Sequence, residues 1–149
     1  MKEVLVLGIG NQLMMDDGIG VYVVEELKKR NTNSCIRYII GETDTYFCLN
    51  QMEDALMTFI VDAAFLDKDP GTISTIPLDQ VFKNPIQPIT VHDSHLLNEI
   101  KLTGKSIEGI FIGIEPYAID YSYGLSPILK AQYSKIIDEI ENIIISQIL

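Results

Sequence analysis

The sequence predicts an α/β protein of three layers: a twisted, mostly parallel five-stranded sheet with helices on both faces. Three observations predict it. Strand-like and helix-like patterns alternate along the chain, the arrangement in which helices cross over between parallel strands. The run Val4-Leu5-Val6-Leu7 is apolar at every position, as in a strand buried on both faces, and it leads straight into the tight-turn pattern Gly8-Ile9-Gly10. The final stretch carries Leu and Ile at helical spacing over several turns.

The chain has 149 residues, which predicts one domain spanning 1–149 that buries about two-thirds of the surface an unfolded chain exposes. A hydrophobic fraction of 47% fits a packed globule rather than a disordered chain. Internal repeats and low-complexity segments are absent from the sequence.

After the first strand, Asp16 and Asp17 precede Val21, Val24 and Leu27, with Glu25, Glu26, Lys28, Lys29 and Arg30 on the opposite face, so the two acids are expected to open a helix. Carboxylates are favoured there by the unpaired N–H groups of the first turn. Adjacent helical residues point about 100° apart, so one acid can cap while the other faces the crevice above the sheet. Ser34 to Ile40 reads as a second strand, ended by Gly41-Glu42-Thr43-Asp44-Thr45, which enters a helix through Phe47, Leu49 and Met52. Met57 to Phe65 is a third strand interrupted by one charge, Asp62. Asp67 to Gly71 is a turn, Thr72 to Pro77 a short strand at or near a sheet edge, and Asp79 to Pro88 a loop. Thr90-Val91-His92-Asp93-Ser94-His95 leads into a helix with Leu96, Leu97 and Ile100, closed by Gly104 at C′. Glu108 to Ile114 is the fifth strand. Ser126 and Pro127 then cap and open a last helix whose buried stripe is Leu129, Tyr133, Ile136, Ile137, Ile140, Ile143, Ile144 and Ile148.

Eleven basic against twenty-one acidic residues give a formal net charge of −10, which disfavours nucleic acid and anionic membranes as partners. No apolar run is long enough to span a bilayer. The N-terminal apolar run is broken by Gly8, Gly10 and Asn11, and no small-residue cleavage site follows, so a cytoplasmic protein without membrane insertion is expected. Cys35 and Cys48 form no C-x-x-C pair; reduced, mostly buried thiols without a catalytic role are expected.

In a doubly wound sheet, ligands collect outside the carboxyl ends of the strands. The candidates are therefore Asp16 and Asp17 after the first strand, Gly41 to Thr43 after the second, Asp62 at the end of the third, and His92. A carboxylate inside an apolar strand must be paired, hydrogen-bonded or metal-bound. Asp62 therefore either bonds to backbone N–H groups of the next loop or faces a ligand. His92, before a helix N-terminus, would be held neutral and able to bind a metal, and His95 ranks second. Two carboxylates and an imidazole suit a borderline divalent ion such as nickel or zinc better than calcium. A Gly-rich turn after a first strand also fits a non-enzymatic nucleotide or phosphate-binding α/β module, although Gly8-x-Gly10-x-x-Leu13 lacks the third glycine and two acids follow.

Gly8-Ile-Gly10-Asn11, Asp16-Asp17-Gly18-Ile-Gly20, Val61-Asp62-Ala63, Thr90-Val-His92 with Leu96, Gly113-Ile-Glu115-Pro116 and Gly124-Leu-Ser-Pro127 together resemble the [NiFe]-hydrogenase maturation endopeptidases, in order and over residues 4–127. The resemblance implies a peptidase of the aspartyl type that removes a C-terminal extension from the [NiFe]-hydrogenase large-subunit precursor after nickel insertion, or a related protein that has lost that activity. It implies that Asp17, Asp62 and His92 are the catalytic and metal-binding residues. The nickel is carried by the substrate, other divalent ions such as zinc or cadmium can occupy the site, and no organic cofactor is needed. Relatives commonly have Gly-Gly-Thr where this chain has Gly41-Glu42-Thr43, so the role of a substrate loop carries over to Gly41 and Thr43 only.

Overall fold

The computed structural model describes residues 3–83 and 94–149. Among these, five strands form one sheet in the order β2-β1-β3-β5-β4: β1 (Val4–Ile9), β2 (Ile36–Glu42), β3 (Met57–Ala63), β4 (Ile73–Pro77) and β5 (Gly109–Ile114). All neighbours are parallel except β4, which runs antiparallel to β5 at the edge. The helices are α1 (Ile19–Arg30), α2 (Thr45–Met52), α3 (Leu78–Lys83), α4 (Ser94–Thr103) and α5 (Pro127–Ile148).

Successive strand residues point to opposite faces, so each apolar strand supplies two cores. From β1, Val4 and Val6 pack with α1 and α5, alongside Val24, Leu27, Ile137 and Ile144. From the same strand Leu5, Leu7 and Ile9 face α2, α3 and α4, alongside Met52, Val81, Leu97 and Ile100. The mostly parallel α/β architecture with helices on both faces is thus as the sequence predicts. The α5 stripe is also as expected: Leu129, Ile136, Ile137, Ile140 and Ile144 are buried, each side chain stabilising the fold by about 1.5–3 kcal/mol relative to exposure. Ser126 Oγ accepts from Leu129 N, and Pro127 takes the first helical position.

The structure corrects four expectations. The segment expected as a loop from Asp79 opens as α3, because Leu78 and Val81 lie one turn apart and are both buried against the sheet; residues 84–88 lie outside the described residues. The acids do not open an α-helix: Met15–Gly18 is a 3-10 turn, and α1 begins at Ile19. The second strand is shifted toward its C-terminus, since parallel pairing with β1 continues to Ile9 opposite Glu42. Cys35 is exposed, at a turn before β2, whereas Cys48 is on the buried face of α2.

Candidate functional site

With this strand order the chain steps outward from β1 to β2 in one direction and, through β3, in the other. The β1–β3 junction is therefore the switch point of the sheet, where the connections diverge and leave a crevice beyond the strand ends. Two of the predicted carboxylates come from the segments that meet there.

Asp62 is the penultimate residue of β3 and is 4% exposed. Phe59, Val61 and Ala63 face α1 and α5. By strand parity Asp62 therefore stands on the other face, and it lines a cleft with Ile9, Thr43, Asp44, Cys48, Leu96 and Leu97. Ala63 N donates to Asp62 Oδ1 at 2.8 Å, so one oxygen is tied to the strand's own backbone.

Asp17 lies in the 3-10 turn, fully buried, and the turn packs against β3. Asn11 N donates to Asp17 Oδ2 at 2.9 Å. A carboxylate thus takes the loop amide that a bound phosphate would use, which argues against the phosphate-binding module. The close approach depends on two glycines. Gly10, at φ 138, lies against the Asp17 carbonyl, where a Cβ would clash. Gly20, in the first turn of α1, lies against the carbonyls of Ile9 and Val61, which seats the helix directly on the ends of β1 and β3.

Neither acid caps a helix. Asp16 instead ties its turn to the loop after β5: Tyr117 N and Ala118 N donate to Oδ2 at 3.0 and 2.9 Å, Ser126 N donates to Oδ1 at 2.7 Å, and Ser126 Oγ donates to Oδ2 at 2.7 Å. The two segments are further joined by Met15 N to Ser122 O at 2.8 Å and Ser122 N to Leu13 O at 3.1 Å. Reading the sequence missed this role, and it missed Glu115, whose Oε1 accepts from Leu66 N at 2.8 Å beyond β3. The available signal was that both acids sit inside the quoted motifs. Their partners, 101–110 residues away for Asp16 and 49 for Glu115, leave no local pattern.

The loop after β2 closes the crevice on a third side. Gly41 is buried, and a Cβ there would run into Cys48 Sγ. Thr43 lines both the Asp62 cleft and a neighbouring cleft of ≈ 220 Å³ bounded by Gly10, Asn11, Gln12, Leu13, Glu42 and Tyr123. Burial, with Asp44 adding to it, pushes the Cys48 thiol up to about 12. A thiol held protonated in this way is a wall of the cleft rather than a nucleophile.

His92 lies outside the described residues, as does the side chain of His95. Among the described residues no three His, Cys, Asp or Glu side chains gather in a group able to hold a metal ion. The donors described at the crevice are carboxylate oxygens, which suit a divalent ion once a nitrogen ligand is added.

A family model described as hydrogenase maturation protease matches residues 21–143. A Methanocaldococcus jannaschii protein provisionally named a hydrogenase maturation protease is 31% identical, over 99% of this chain and 97% of its own. The hydrogenase 2 maturation protease of Escherichia coli is 28% identical, over 93% of this chain and 88% of its own. Among solved structures, the maturation protease HybD of Thermococcus kodakarensis superposes with a TM-score of 0.78 at 27% identity, covering 95% of this chain and 98% of its own. The maturating endopeptidase HybD of Escherichia coli gives 0.74 at 27% identity, covering 93% and 89%.

Proposed function

The chain belongs to the hydrogenase maturation protease family, and we propose that it cuts the C-terminal extension from a [NiFe]-hydrogenase large-subunit precursor once nickel is in place, with Asp17, Asp62 and His92 as its site. It is an endopeptidase of hydrogenase maturation, as its relatives are named. The observation that carries the site is the pair of buried carboxylates, Asp62 near the end of β3 and Asp17 in the 3-10 turn that packs against β3, beside the point where the sheet's connections diverge. The motif register supports His92, as do Leu96 and Leu97, which follow it in the chain and line the Asp62 cleft.

The nickel is part of the substrate. The two carboxylates and the imidazole would hold it, so that only a loaded precursor is seated with its scissile bond at the crevice. The ion would serve as the recognition element and could polarise the scissile carbonyl, or the two carboxylates could activate water as a pair. Thr43 and Gly41 shape the groove along which the extension lies. Burial contributes in two ways: it excludes bulk water, and it strengthens the attraction between the carboxylates and a cation. Among the described residues no helix is long and apolar enough to cross a membrane.

The test is to mix purified protein with precursor, with and without nickel, and to follow the mass of the large subunit. Cleavage is expected only for the nickel-loaded form. Asp17→Asn, Asp62→Asn and His92→Ala are each expected to abolish it while leaving the circular dichroism spectrum unchanged. Full processing by any one of them would remove that residue from the site. A precursor cut equally well without nickel would overturn metal recognition.

A further inference from the structure

We propose that Glu42 is a specificity-determining residue that pairs with a lysine or arginine side chain of the substrate segment; this rests on the peptidase reading above. Glu42 ends β2 with φ 52, in the left-handed region that glycine adopts freely and a residue with a long side chain does not. Asp and Asn are tolerated there because their short side chains bond locally, and Glu lacks that compensation. Its backbone is held firmly, with Gly10 N donating to Glu42 O at 3.0 Å and the β1–β2 register breaking beside it. The side chain is exposed and, among the described residues, makes no hydrogen bond or ion pair. Local folding therefore does not account for a glutamate at this position.

Its location does. Glu42 lines both the cleft that contains Asp62 and the adjoining ≈ 220 Å³ cleft, so it stands where a peptide passing from one to the other must go by. The larger cleft has apolar walls from Leu13 and Tyr123 and polar groups from Asn11, Gln12 and Thr43. No described Lys or Arg lines either cleft. A flexible aliphatic stem ending in a positive charge matches this lining: the stem lies along Leu13 and the Tyr123 ring, and the head meets the Glu42 carboxylate. A neutral or acidic side chain would leave the carboxylate to be partly desolvated without a partner.

The experiment compares cleavage of the nickel-loaded precursor by the wild-type chain, Glu42→Gln and Glu42→Gly. Failure of the wild type to cut overturns the peptidase reading itself. Where the wild type cuts, kcat/KM is expected to fall about five-fold in both variants, the worth of a partly exposed ion pair, through KM and with kcat little changed. Raising ionic strength is expected to raise KM for the wild type and to leave that of Glu42→Gln nearly flat. Each Lys and Arg of the precursor segment is then replaced by Met in turn, and one replacement is expected to slow the wild type without slowing Glu42→Gln further. Glu42→Gly is expected to melt no lower than the wild type, because glycine relieves the backbone at φ 52, which separates lost recognition from lost folding. Equal kcat/KM and equal salt dependence for the wild type and Glu42→Gln, with no coupled precursor position, overturns the assignment.

Discussion

Two adjacent acids, Asp16 and Asp17, have separate tasks, and the difference lies in what each carboxylate meets. Asp16 accepts four hydrogen bonds from Tyr117, Ala118 and Ser126, three of them from backbone N–H groups, and the two from Ser126 are buried. Asp16→Asn replaces one acceptor oxygen by a donor facing donors. It is expected to lower stability by about 2–4 kcal/mol in urea titration. The two cysteines diverge for a similar reason. Cys35 is exposed and Cys48 buried, so a thiol reagent at neutral pH is expected to modify one site in the folded chain and two in urea. The Cys48 thiol rises from 9.0 to about 12 on folding, chiefly through burial. The native state therefore holds a proton that the unfolded state has released, so the stabilisation is complete below pH 9.0 and is lost as pH climbs toward about 12. Tyr133, raised by burial from 10.0 to about 12, acts in the same direction over an overlapping window. The urea midpoint is expected to fall through this alkaline range, and less steeply in Cys48→Ala.

At the scale of elements, α1 is seated on the ends of β1 and β3 beside the proposed site, and Gly20 sets their separation. A Cβ at that position would meet the Val61 and Ile9 carbonyls, so Gly20→Ala must lift α1 off the sheet. A loss of about 3 kcal/mol is expected, with activity falling even where the chain stays folded, because Asp17 moves with the helix. The elements themselves were largely legible. Uninterrupted apolar residues marked β1, helical spacing with Ser126 and Pro127 marked α5, and Gly104 at φ 66 marked the end of α4. The short α3 was not, since two buried residues one turn apart look the same in a loop draped over a core. Asp62 could be picked out as a charge in an apolar strand. The tie from Asp16 to Ser126 could not, because a hydrogen bond spanning 110 residues leaves no periodicity.

The whole molecule carries a formal net charge of −10, and much of that charge repels itself across a small surface. Salt that shortens the screening distance to about 10 Å weakens this repulsion. The melting temperature is therefore expected to rise between ~20 and ~200 mM sodium chloride, measured by scanning calorimetry, even though surface pairs such as Arg30 with Asp138 weaken over the same range. The same field favours cationic segments as visitors. The stitching of the Met15–Gly18 turn to residues 117–126 also has a consequence for biosynthesis. The turn emerges from the ribosome roughly a hundred residues before its anchors do, so a nascent chain carries Asp16 long before Tyr117, Ala118 and Ser126 can bind its carboxylate. The fold at this end of the sheet therefore closes only when the segment after β5 has been made, and a chain truncated before Tyr117 is left without the contacts that tie the turn down.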